Sequence, residues 1–163
     1  MSIKHVHAGE IGVGSSDDEL RTVLGSCVAI TLWHPQRRIG VMSHVQLPMR
    51  SPRRRHGRDA RYAEDSWLLM LESLREMRVP ITECECKMFG GARVFASGGT
   101  AVGAANVEDL RALLKGSGVR LVGEHVEGTG HRVIRFVVST GDVWVSHRPQ
   151  PVGAEPALAS GGA

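Results

Sequence analysis

A chain of 163 residues, 42% hydrophobic and 23% charged, suffices for one domain whose core needs no disulfide or metal staple. No stretch approaches the ~18 consecutive apolar residues of a membrane span, and the opening MSIKHVHAGEIGVG lacks a signal peptide's apolar run, so the cytoplasm is the expected compartment. Three cysteines, an odd number, exclude a simple secreted disulfide framework and predict free thiols.

Leu20 to Leu24 and Cys27 to His34 are mostly β-branched or apolar and read as strands. Pro35 bends the chain within 34–38, and Ile39 to Leu47 returns as the next strand, ended by Pro48. Arg50, Arg53, Arg54, Arg55, Arg58 and Arg61 then carry much of the net charge of +3. This run is either a solvated loop or a docking strip for an acidic partner or nucleic acid, the last weakened because Tyr62 is its one nearby aromatic. Tyr62 to Arg78 has helical periodicity, with Trp67, Leu68, Met70, Leu71, Leu74 and Met77 on or beside one face and Pro80 beyond the end.

Glu83 to Phe89 alternates as a half-buried strand with Cys84 and Cys86 facing the core. Ala96 to Gly103 reads as a glycine-rich loop, Asn106 as the start of a helix and Gly116 as its stop. Arg120 to Val126, Arg132 to Ser139 and Val143 to Ser146 complete the strands, with turns at Gly128-Thr129-Gly130 and Thr140-Gly141-Asp142. The order predicts an α+β domain over residues 1–148 with helices on an outer face, and a disordered tail over 149–163. His34, His56, His125, His131 and His147 lie mostly at turns or strand ends, where solvation is expected.

The hairpin around Pro35 has a testable register. A turn centred on Gln36 and Arg37 gathers Val28, Ile30, Leu32, Ile39, Val41, Ser43, Val45 and Leu47 on one face that is nearly pure core. The other face, small or polar, collects Cys27, Ala29, Thr31, Trp33, Gly40, Met42, His44 and Gln46. Cys27 then lies opposite Gln46 with His44 as its diagonal neighbour, and diagonal Cα atoms sit about 7–8 Å apart, within reach of an imidazole. A thiol becomes a strong nucleophile as thiolate, which a nearby imidazole promotes. Gly25 lets a substrate amide approach the backbone, and the N–H groups of Ser26 and Cys27 can face a developing oxyanion. The residues alone leave two readings open: a cysteine-dependent acyl-transfer enzyme, or a buried structural cysteine beside an unrelated histidine.

Leu24-Gly25-Ser26-Cys27-Val28-Ala29, Ile39-Gly40 and His44 with Leu47-Pro48 resemble the chemoreceptor glutamine deamidases of bacterial chemotaxis, the CheD family. Phe89-Gly90-Gly91-Ala92 and Val102-Gly103 with Asn106-Val107-Glu108 resemble its later signatures in the same order. The resemblance spans roughly residues 20 to 145. It implies a β-sandwich of mixed and antiparallel sheets flanked by helices, and a cysteine hydrolase that converts glutamines of methyl-accepting chemoreceptors to glutamate, needing no cofactor or metal. It further implies Cys27 as nucleophile, His44 as general base and receptor cytoplasmic domains as partners, with a CheC-type phosphatase as a further partner. Neither nucleic acid nor membrane insertion belongs to it. The family's histidine-orienting threonine stands six positions before the cysteine, where this chain has Arg21, with Thr22 next. Strand alternation turns Thr22 to the opposite face unless a bulge intervenes. Ala105 stands where the family carries Arg.

Overall fold

A computed structural model describes residues 1–48, 57–93 and 102–150. Arg50 to Arg55, the loop residues 96–101 and the tail 151–163 lie outside the described residues.

Among the described residues, five strands are followed by a helix, one strand, a second helix and three closing strands. The strands are β1 (Ser2–His5), β2 (Ile11–Gly14), β3 (Asp18–Leu24), β4 (Val28–His34), β5 (Ile39–Ser43), β6 (Glu85–Gly90), β7 (Arg120–Val126), β8 (His131–Val137) and β9 (Val143–Arg148). The helices are α1 (Ala63–Glu76) and α2 (Val102–Ser117). One sheet runs β1-β3-β8-β9 and the other β2-β5-β4-β6-β7. Both are mixed, because β1 joins β3 and β6 joins β7 in parallel while the remaining ladders are antiparallel.

Two apolar layers follow from strand alternation. Val28, Ile30, Leu32, Val41 and Val45 pack with Trp67, Met70 and Leu74 of α1 and Val107, Leu110 and Leu114 of α2. The intervening residues Ala29 and Met42 meet Leu20, Leu24, Ile134 and Phe136 of the facing sheet. The fold is therefore a sandwich with both helices on the five-stranded sheet. The hairpin face that reads as small or polar is the sandwich interior; a side chain at Gly40 would strike the Phe136 ring, which explains the glycine. Both cysteines of the later strand region are core residues, Cys84 and Cys86 being 1% and 0% exposed.

The hairpin pairs Thr31 with Met42, Leu32 with Val41, Trp33 with Gly40 and His34 with Ile39, as its hydrophobic pattern requires. Beyond Ser43 the ladder reduces to one bridge, in which Val28 and Val45 exchange hydrogen bonds of 2.9 and 2.7 Å. The strand expected to run to Leu47 thus ends early, because the N–H groups of Gln46 and Leu47 turn to the Arg61 carbonyl.

Four other expectations are corrected. The chain is already helical at Val102, so Asn106 lies within α2 rather than at its start. Gly103 belongs to that helix because its missing Cβ admits the carbonyls of Gly91 and Ala92. Gly116 is helical, and Gly118, at φ +79°, ends the helix in the left-handed conformation that glycine adopts cheaply. His34 is buried at 3% exposure, held by Glu83 at 2.8 Å and by the Arg37 N–H at 3.1 Å.

Candidate active site

The open end of the hairpin brings the 24–28 turn against the end of β6. Leu24 ends β3 and Val28 starts β4, so Gly25-Ser26-Cys27 crosses from one sheet to the other. Gly90, at φ +102°, lies directly beneath this turn, and a Cβ there would collide with the Cys27 carbonyl oxygen. The Gly91 N–H donates to that oxygen at 2.8 Å and the Ala92 N–H donates to the Gly25 carbonyl at 3.0 Å. Among the described residues, the N–H groups of Ser26 and Cys27 have no backbone acceptor.

Cys27 is partly buried and packs against the apolar layer between the sheets. The Val28–Val45 bridge sets Gln46 across from Cys27 and puts His44 on its diagonal. His44 points between the sheets, 6% exposed, toward Thr22 of β3. The structure therefore brings Cys27, His44 and Thr22 to one end of the sandwich, with Gly25 and Ser26 in the connecting turn.

The position of Thr22 corrects the alternation argument. No bulge interrupts β3, whose ladder with β8 is continuous from Glu19 to Leu24. Leu20, Thr22 and Leu24 face the other sheet, while Arg21 turns outward to Glu19. It is Arg21 that alternation removes from the site.

The hydrogen-bond network fixes the imidazole tautomer. Thr22 Oγ1 lies 2.6 Å from the Val6 carbonyl and 2.7 Å from His44 Nδ1. A carbonyl only accepts, so the single hydroxyl hydrogen goes to Val6 and Oγ1 accepts from Nδ1–H. The Val6 carbonyl, 3.4 Å from Nδ1, adds a weaker acceptor. Nε2 is thereby left with its lone pair, which is the form a general base needs. Burial lowers the His44 pKa below its ordinary value and nearby His7 adds to this, while the Val6 carbonyl and Glu10 oppose it. Burial also raises the Cys27 thiol above its usual value. Both shifts favour the uncharged forms, neutral thiol at Cys27 and neutral imidazole at His44.

β1 and the residues after it form a part of the site that sequence patterning misses. The Val6 N–H donates to the Arg21 carbonyl at 2.8 Å, which aims the Val6 carbonyl at Thr22. The Gly9 N–H holds the His44 carbonyl at 2.9 Å. A four-residue, fully exposed edge strand carries no alternation to detect. Among the described residues, no three His, Cys, Asp or Glu side chains converge as a metal site would require.

The three thiols differ enough for a direct check. Iodoacetamide at neutral pH is expected to modify Cys27 well before Cys84 and Cys86. Burial pushes those two up to about 11 and about 12 respectively, and neither is accessible. Peptide mapping of the alkylated chain measures the order.

Comparison with known proteins gives a consistent picture. Residues 46–147 match the family described as CheD chemotactic sensory transduction. The chain is 43% identical over 152 residues to a protein of Albidiferax ferrireducens named "probable chemoreceptor glutamine deamidase CheD 2", covering 90% of this chain and 87% of that protein. It is 35% identical over 144 residues to the "probable chemoreceptor glutamine deamidase CheD 1" of Chromobacterium violaceum, covering 86% and 75%. It is also 32% identical over 143 residues to the "chemoreceptor glutamine deamidase CheD" of Thermotoga maritima, covering 87% and 90%. The family match begins just after His44, but a continuous span of 90% of a 163-residue chain necessarily includes residues 22 to 44.

Proposed function

The chain belongs to the CheD family, and on that premise we propose that it is a protein-glutamine deamidase acting on methyl-accepting chemotaxis receptors. The observation that carries this reading is the imidazole of His44, diagonal to Cys27 across the hairpin and held as the Nδ1–H tautomer by Thr22. The three relatives' names supply the substrate class: a glutamine side chain of a receptor.

In this mechanism His44 Nε2 takes the Cys27 proton as sulfur attacks the glutamine carboxamide carbon. Negative charge develops on the amide oxygen and is stabilised by the N–H groups of Ser26 and Cys27, which have no backbone acceptor among the described residues. The imidazolium gives its proton to the departing nitrogen, releasing ammonia and leaving a thioester on Cys27. A water molecule deprotonated by His44 then attacks the thioester, restoring the thiol and releasing glutamate. The net reaction consumes one water and produces one ammonia per glutamine, with no redox change.

The partners in this reading are receptor cytoplasmic domains and a CheC-type phosphatase, with the cytoplasm as compartment and neither nucleic acid nor membrane insertion involved. Among the described residues no helix is long and apolar enough to cross a membrane.

Hydroxylamine tests the covalent step, because it intercepts thioesters. Turnover of a receptor cytoplasmic fragment in its presence is expected to yield glutamyl hydroxamate at the modified positions, with ammonia released in step. Glutamate formed without any hydroxamate would contradict the thioester.

Thr22 has its own signature. Thr22→Val keeps the volume but removes the oxygen that receives Nδ1–H, leaving only the 3.4 Å carbonyl. Loss of a buried hydrogen bond worth about 1–1.5 kcal/mol in orienting the base predicts a roughly tenfold lower kcat. Thr22→Ser, which restores the oxygen, should recover most of it in steady-state assays of ammonia release.

A further inference from the structure

We propose that Asn106 is a positioning residue that aims the Cys27 N–H at the oxyanion; the inference rests on the deamidase reading above. Asn106 sits within α2 and is completely buried, at 0% exposure. Its Nδ2 donates to the Ser26 carbonyl at 3.3 Å and to the Gln46 carbonyl at 3.2 Å. Both partners only accept, so the amide has one orientation; the flipped form would press Oδ1 against two carbonyl oxygens.

The consequence follows from peptide geometry. The Ser26 carbonyl and the Cys27 N–H belong to the same planar trans peptide and point in opposite directions. Asn106 holds the oxygen from the helix side of the five-stranded sheet, so the N–H is directed to the other side. The Cys27 side chain also lies on that other side, in the layer between the sheets. The Ala92 N–H acts in the same way on the Gly25 carbonyl and thereby on the Ser26 N–H. The two candidate oxyanion donors thus have separate anchors, one from backbone and one from Asn106.

The second bond ties this peptide to the strand that carries the base. Past the Val28–Val45 pair, the N–H groups of Gln46 and Leu47 bond to Arg61, and the Asn106 amide spans the gap between Ser26 and Gln46. Nor does the side chain look like mere filling. Its Oδ1 is buried without a partner among the described residues, a costly arrangement that an aliphatic residue at the same place would avoid. The donors of Asn106, rather than its bulk, account for its presence between Val107 and Leu110 on the packed face of α2.

Two reactions of the same thiol separate this role from a general loosening of the site. Attack on a carboxamide develops an oxyanion, whereas iodoacetamide is attacked at its methylene carbon and develops none. Asn106→Ala and the near-isosteric Asn106→Asp, which loses both donors, are each expected to lower kcat for glutamine conversion by about 10²-fold, the scale of one oxyanion donor. KM should stay within about threefold, as for a group acting on the transition state. The rate–pH profile of Cys27 alkylation should overlay that of the wild type, with thermal unfolding confirming which variants are folded. A folded variant with wild-type kcat, or alkylation that falls in step with kcat, overturns the proposal. A wild-type protein that converts no glutamine overturns the deamidase reading and this proposal together, while the alkylation profiles still report the thiol.

Discussion

Cys27→Ser is expected to lower glutamine conversion by on the order of 10³-fold or more while leaving the fold intact. The exchange is nearly isosteric at a half-buried position, so packing against the sandwich interior changes little. What changes, in the proposed mechanism, is the acid that His44 deprotonates. Burial raises the thiol and lowers the imidazole, so proton transfer from Cys27 to His44 is already harder than between the free groups. A serine hydroxyl is a far weaker acid, and the same weakened base cannot take its proton efficiently. Ammonia release, measured beside circular dichroism and thermal unfolding, checks both halves. Undiminished turnover by the serine variant would remove the reason for preferring Cys27 to its neighbour Ser26.

His44→Ala is the second large effect, with an expected loss of about 10²–10⁴ in kcat, the range for a positioned general base. Added imidazole should restore part of the rate if a proton acceptor is all that is missing. The wild-type profile carries the same information. In the proposed mechanism His44 acts in its neutral form, and burial depresses its pKa, so activity should fall on the acid side with a midpoint below the ordinary value of 6.5. The sign for stability is the same. The unfolded chain protonates this histidine at a higher pH than the folded one, so the stability present above 6.5 is lost as pH falls through the folded pKa. Removing His44 removes its share of that loss, and the alanine variant should unfold less steeply with acid.

The hairpin register was readable because alternation over Val28 to His34 and Ile39 to Val45 leaves a single pairing that keeps the aliphatic face together. β7 was legible to the residue for a related reason: it is bounded by Gly118 and Gly128, both glycines with positive φ. β1 and β2 were not. Each is four residues long, and β1 pairs in parallel with a strand whose matching residue lies sixteen positions away. That blindness hid the Val6 carbonyl, which decides the tautomer of His44. Thr22 was misplaced because its facing was counted from a family position rather than from its own neighbours. Leu20 and Leu24, both fully buried, give the parity of β3 directly. Asn favours helix starts and Gly disfavours helices, so Asn106 reads as a helix start and Gly103 as a loop residue. Both are there for what α2 touches, the Ser26 peptide in one case and the Gly91–Ala92 carbonyls in the other. Local propensity cannot register such contacts.

The central claim is that one thiol, activated by one imidazole, turns receptor glutamine into glutamate. It is tested most directly by incubating the protein, and separately its Cys27→Ala variant, with a chemoreceptor cytoplasmic fragment and mapping the peptides by mass spectrometry. The wild type is expected to convert particular glutamines to glutamate and the variant none. Equal conversion by both, or none by either, would contradict the account.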